Sequence, residues 1–155
     1  MKGNENVIAF LNEALADELT AINQYIVHSE MCADWGYGEL HELIEKRAIV
    51  EMQHAEKLIG RILFLEGQPI VSNLNKIRIG GEVLDQFQKD LQAEADAVAL
   101  YNRGIRLAVE QADNGTRKLL EEILNDEEDH LDWIETQLSQ IGHMGIQAYL
   151  VEQVG

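Results

Sequence analysis

Apolar residues recur along this chain at intervals of three and four, the spacing of one helix face, and nowhere alternate for long enough to suggest a strand. A first run, over about residues 5–35, sets Leu11, Leu15, Ile22, Tyr25 and Ser29 on one stripe. It stops at Trp35-Gly36-Tyr37-Gly38, where glycine can take a left-handed cap. A second run, over about 39–65, carries Leu40, Ile44, Leu58, Ile62 and Leu65. Residues 66–81 contain Gly67, Pro69, Ser72, Asn73, Gly80 and Gly81 and show no long helical pattern. The third run, about 82–112, reads Leu84, Phe87, Leu91, Val98, Tyr101, Ile105 and Ala108. Asp113-Asn114-Gly115 then turns the chain into a fourth, about 116–141. In the tail from Met144 to Gln153, Ile146, Tyr149 and Leu150, followed by Val154, have the spacing of a short fifth helix.

Runs this long correspond to helices of roughly 40–46 Å, well beyond the ordinary globular length, and such lengths suit a four-helix bundle. The short connections at 36–38 and 113–115 make helices one and two, and three and four, antiparallel hairpins. The middle connection can reach roughly 53 Å when extended, enough to span the bundle and start the third helix parallel to the second. The expected fold is therefore all-α: one domain over residues 1–155, a four-helix bundle with one long crossover and a short C-terminal helix.

Charge narrows the function. The chain has 155 residues, with 12 basic against 28 acidic side chains and a net charge of −16. A surface this acidic repels phosphate backbones and attracts cations, so nucleic acid is not an expected partner. No run of 18 apolar residues offers a membrane span, and the acidic N-terminal segment does not read as a secretory signal. A single cysteine, Cys32, excludes an intramolecular disulfide and any site needing two thiolates, and it reads as an inert thiol. A cytoplasmic location is the expectation.

Four glutamates interrupt the apolar stripes. Glu18 falls between Leu15 and Ile22, and Glu94 between Leu91 and Val98. On the second helix Glu51 and His54 fall between Ile44 and Leu58, and on the fourth Glu127 and His130 fall between Leu124 and Ile134. Residues three apart are neighbours on a helix, so each Glu-x-x-His can present both groups to one ion. Among 19 glutamates and 5 histidines one such motif is weak evidence. Stronger is the matched spacing: Glu18 to Glu51 and Glu94 to Glu127 are both 33 residues, which brings the ligand positions of each hairpin to a similar height. Four carboxylates buried without a counter-charge would cost several kcal/mol per ion, and two divalent metals balance them. An oxygen-rich set with one imidazole per metal suits iron or manganese, though affinity alone admits zinc.

A Glu from each of two helices and a Glu-x-x-His from each of the other two is the ligand pattern of ferritin-like di-iron proteins. Within that group the chain resembles the bacterioferritins from end to end. INQYIVHSEM, RILFLEG, NDEEDHLDWIETQL, the IGHMGIQAYL tail and Met52 inside Glu51-Met52-Gln53-His54 carry the resemblance. It implies one iron held by Glu18, Glu51, His54 and Glu127 and a second by Glu94, Glu127, His130 and Glu51, with Glu51 and Glu127 bridging. Tyr25 is similar to a nearby family tyrosine that can donate an electron, although an aromatic core role fits it equally well.

Met52 is one residue step from Glu51, about 100° around the helix, and so faces away from the bundle core. With Leu19, Asn23, Ile26, Ile49 and Ile59 it forms an outer strip suited to an isologous two-fold contact. From the residues alone Met52 is an interface packing residue. The resemblance implies that a Met52 pair ligates haem b between two subunits.

The resemblance further implies a ferroxidase that oxidises Fe(II) with dioxygen or peroxide and stores the product inside a 24-subunit cage, with a small ferredoxin as reductant. Lys46, Arg47 and Val50 stand where many family members have acidic or histidine side chains facing the interior, so an accessory inner iron site is in doubt. His28, His41 and His143 are assigned no chemistry. The acidic run around Asp126, Asp129 and Asp132 reads mainly as a solvated face. Two rivals remain: a di-iron oxidase acting on an organic substrate or peroxide, and a cage or haem-binding protein whose bundle site is inactive.

Overall fold

The computed structural model describes residues 1–155, and its regular structure is entirely helical. Helix α1 spans Glu5–Asp34, α2 Gly38–Phe64, α3 Val83–Glu110, α4 Asn114–Met144 and α5 Ile146–Val151. The expected boundaries hold to within a few residues, the largest difference being the extension of α4 to Met144. Local chemistry explains the starts and stops. Asn4 caps α1 by accepting from the backbone N–H groups of Asn6 and Val7 at 2.8 and 3.2 Å. Asp113 caps α4 through the N–H of Thr116 at 3.0 Å and is held in place by Arg61. Gly36, at φ 84°, supplies the left-handed turn between α1 and α2.

Side-chain pairs fix the topology. Glu13 pairs with Arg103, Glu18 with Tyr101 and Tyr25 with Glu94, so α3 runs antiparallel to α1. Since α2 is also antiparallel to α1, α2 and α3 are parallel, as the long crossover requires. The crossover lies along α1 in the same direction. Asn12, Thr20, Gln24 and His28 successively accept the backbone N–H groups of Ile70, Asn75, Arg78 and Gly80 at 2.8–3.1 Å. A segment without helix or strand is thereby hydrogen-bonded to side chains at helical spacing.

Two apolar clusters fill the bundle. One, at the end where α1 begins, contains Phe10, Leu11, Leu15, Leu58, Ile62, Tyr101 and Leu120. The other, at the α5 end, contains Cys32, Leu40, Ile44, Phe87, Ile134 and Tyr149. In the first cluster α3 approaches α1 so closely that a Cβ on Gly104 would lie 2.2 Å from the Phe10 ring. No helix is long and apolar enough to cross a membrane.

Candidate metal centre

Between the two apolar clusters lies a layer of polar side chains contributed by all four long helices. Glu18, Glu51, His54, Glu94, Glu127 and His130 are all buried, the most accessible being His130 at 8%. The stripe positions that suggested them therefore do face inward. Possible ligand atoms of Glu18, Glu51, His54 and Glu127 all lie within 4.8 Å of one another. Glu94 and His130 form the other half of the layer, with His130 Nδ1 2.8 Å from Glu94 Oε1. A carboxyl–carboxylate contact between Glu94 and Glu127 joins the halves.

Protons and one internal cation stabilise this crowd of acids. Burial pushes the carboxyls of Glu18, Glu51 and Glu94 upward; neighbouring carboxylates push the same way at Glu51 and Glu94, whereas at Glu18 a hydrogen bond shared with Glu51 offsets part of the rise. Burial also acts to raise Glu127, but hydrogen bonds from Glu94 and His54 and the Arg47 charge hold it well below the usual range. Burial alone would lower His54. Its contacts with Glu127, Glu18 and Glu51 outweigh that and hold it far above the ordinary histidine value. His130 goes the other way: burial and then the nearby Arg47 charge keep it low, hence neutral.

Three carboxylate oxygens, Glu18 Oε2, Glu51 Oε1 and Glu94 Oε2, are buried and accept no hydrogen bond. An open buried acceptor costs about 1–3 kcal/mol, and more when charged. Three of them in one layer beside two imidazoles form a donor set that fits divalent cations. His54 is oriented for this: Nδ1 faces Glu127 Oε1 at 3.1 Å and Glu18 Oε2 at 3.5 Å, while Nε2 lies 2.8 Å from Asp126 Oδ2. A carboxylate on the outer ring nitrogen is the arrangement that fixes tautomer and direction in metal-binding histidines.

Three groups contribute here that the sequence reading did not assign to the centre. Asp126 was placed in the solvated acidic run; its side chain is 48% exposed, yet it is the partner of His54. Tyr101 was read as a core residue only, and its hydroxyl donates to Glu18 just as Tyr25 donates to Glu94. Burial and those carboxylates keep both phenols protonated. Arg47, read as an interior-facing surface residue, instead folds its guanidinium against Glu51 and Glu127 at 3.0 and 3.2 Å. An arginine four residues before an inward glutamate was the available signal for that last contact.

A cavity of about 340 Å³ opens beside the centre between α1, α3 and the crossover. Its outer walls include Asp17, Gln24, Asn75, Arg78, Lys89 and Asp96, and its inner end reaches Tyr25, Glu51, Glu94 and Glu127. Burial and then the Glu127 charge push Asp17 up to about 6.

The other residues noted in the sequence lie away from the layer. Met52 is 46% exposed, as are Ile26 and Ile49 at 47% and 44%, while Leu19 and Ile59 are partly buried. Lys46 is exposed and Val50 half-buried. His28 is fully buried and lies 3.0 Å from Asp90, within the network that anchors the crossover. Cys32 is buried without a second thiol, and burial pushes it up to about 12.

The chain is similar to known proteins along nearly its whole length. The ferritin-like domain family matches residues 8–144. A bacterioferritin of Mycobacterium leprae is 40% identical over 154 residues, covering 99% of this chain and 97% of that protein. Bacterioferritins of Rhodobacter capsulatus and Brucella melitensis are 42% and 41% identical over 149 residues, covering 96% of this chain and 92% of each of those proteins.

Proposed function

The chain belongs to the bacterioferritins within the ferritin-like domain family, and on that premise we propose that it is an iron-storage ferroxidase acting in the cytoplasm. The observation that carries this reading is the buried layer itself, with six ligand-type side chains from four helices and three acceptor oxygens left open. Glu18, Glu51, His54 and Glu127 would hold one iron and Glu94, Glu127, His130 and Glu51 the other, with Glu51 and Glu127 shared between the two sets. Iron bound there supplies the redox chemistry, passing electrons from Fe(II) to dioxygen or peroxide.

The protein's own groups position and compensate charge. Four carboxylates balance two divalent ions, His130 is kept neutral and ligand-ready, and Asp126 holds His54 with Nδ1 toward the carboxylates. Bound metal would take the place of the shared carboxyl protons and of the Nδ1 proton of His54. Tyr25, hydrogen-bonded to Glu94 and in edge contact with the His130 ring at 5.3 Å, is placed to supply an electron. The cavity gives small species a way to the centre. Its mainly charged and amide walls suit hydrated cations and a small oxidant, and disfavour the rival reading of an oxidase for apolar organic substrates.

Storage follows if oxidised iron moves on into the interior of a 24-subunit cage. The strip around Met52 would serve there as a two-fold contact in which Met52 of each subunit would hold haem b, a redox group able to pass electrons from a small ferredoxin for release. Met52 is half exposed, as are the apolar Ile26 and Ile49, which fits a thioether donor presented at a contact between two subunits. The direct test of the centre is Glu18→Ala. Rapid Fe(II) oxidation in air should be lost while helicity and assembly persist, and an undiminished initial rate would remove Glu18 from the ligand set.

A further inference from the structure

The two sides of the centre are built differently. Toward α1, α3 and the crossover it meets the cavity. Toward α2 and α4 it is closed by Arg47, whose side chain is only 12% exposed. The guanidinium Nη2 donates to the Asp126 carbonyl at 2.9 Å and to Glu127 Oε2 at 3.2 Å, and Nε lies 3.0 Å from Glu51 Oε1. Nε nonetheless makes no directed hydrogen bond, and neither does Glu51 Oε1. Charge rather than bidentate geometry thus holds Arg47 on Glu51, while the Asp126 carbonyl anchors the fork from the side.

Glu51 and Glu127 are the two carboxylates that link the halves of the layer. A single cation reaching both occupies, electrostatically, the role that a pair of bridged metals would take over. We propose that Arg47 is a resident counter-cation of this centre: it neutralises Glu51 and Glu127 while metal is absent and must release them before both metals can be bridged. Arg47 is thus a positioning residue that weakens binding of the second metal; it is the only arginine or lysine that reaches these carboxylates, whereas His54, which also contacts both, is itself a ligand-type group. This inference rests on the di-metal reading above.

The test is anaerobic calorimetric titration of Co²⁺ into the metal-free assembled protein, with the visible cobalt bands reporting each site. The wild type should take two Co²⁺ per chain, the second more weakly. Arg47→Gln keeps a donor for the Asp126 carbonyl and removes the charge, so the second Co²⁺ should bind tighter by about tenfold or more. A residue that merely supported the fold would give the opposite sign. Second-site affinity that is unchanged or weaker in Arg47→Gln, with helicity and assembly intact, overturns the proposal. If Arg47→Gln does not fold, Arg47→Lys decides: a point charge that cannot span both carboxylates should also tighten the second site, and unchanged affinity overturns the inference. A wild type that takes fewer than two Co²⁺ defeats the di-metal reading itself, whereas two Co²⁺ with an unaltered variant isotherm defeats only the role of Arg47.

Discussion

Replacing Asp126 by alanine isolates the orientation of His54 from everything else in the centre. His54 is 1% exposed, and its only partner on Nε2 is Asp126 Oδ2 at 2.8 Å, whereas Nδ1 faces three carboxylates. Losing such an outer partner ordinarily costs 10- to 100-fold in metal affinity. Asp126 is half exposed, so water can enter and accept the Nε2 proton, which places the expected loss near the lower end, about tenfold or 1.4 kcal/mol. Removing a negative charge from the acidic face lowers cation affinity in general, and a control is needed for that. Asp132 lies on the same helix, is exposed and touches no group of the centre, so Asp132→Ala supplies it. Calorimetric titration of metal-free protein with Co²⁺ measures both. Asp126→Ala should weaken the site containing His54 by about tenfold while Asp132→Ala changes it by less than about twofold. Equal effects of the two substitutions would show that only the general field matters and would refute the orienting role.

Other perturbations follow from the same geometry. Met52→Leu should preserve assembly and Fe(II) oxidation while abolishing the haem absorbance of reconstituted protein; haem retained with unchanged axial ligation would refute its role. Gly104→Ala drives a methyl to 2.2 Å from the Phe10 ring, and the overpacking, partly offset by better helix propensity, should cost about 1–2 kcal/mol. A melting midpoint lowered by several degrees checks this, and an unchanged one contradicts it. Metal-free protein should lose stability as pH rises between about 5 and 8. Glu18, Glu51, Glu94 and His54 are all raised in the folded state, so the native protein holds protons that the unfolded chain releases; the lowered His130 opposes this alone in that window. Thermal melts in chelator across that range should show the decline, and saturating divalent metal, which competes with those protons, should remove it.

The sequence made the helices, their pairing and the six inward ligand positions legible because each rests on a local period. Glu18 and Glu94 stand at positions that an apolar stripe assigns to the core, and that mismatch is visible without coordinates. What escaped were contacts set by the side chain's direction rather than its phase. Asp126 is adjacent to Glu127 and belongs by phase to the outer face, but it reaches sideways from α4 to His54 on α2. Arg47 belongs by phase to the rim, and its long side chain carries charge into a layer that its Cα does not face. Gln86 and Asp90 are buried polar residues that shift the interior face of α3 away from the stripe of Leu84 and Leu91. Their partners, Cys32, Gln24 and His28, lie on α1, and the ladder that ties the crossover to α1 has no period of its own on the crossover side.

The central claim is storage through oxidation, and iron content against particle size tests it most directly. Protein loaded anaerobically with excess Fe(II), exposed to air and separated by size should carry iron far above two per chain in a particle of cage dimensions. Iron that stops at two or fewer per chain on a small oligomer would contradict storage and leave a di-iron oxidoreductase in its place.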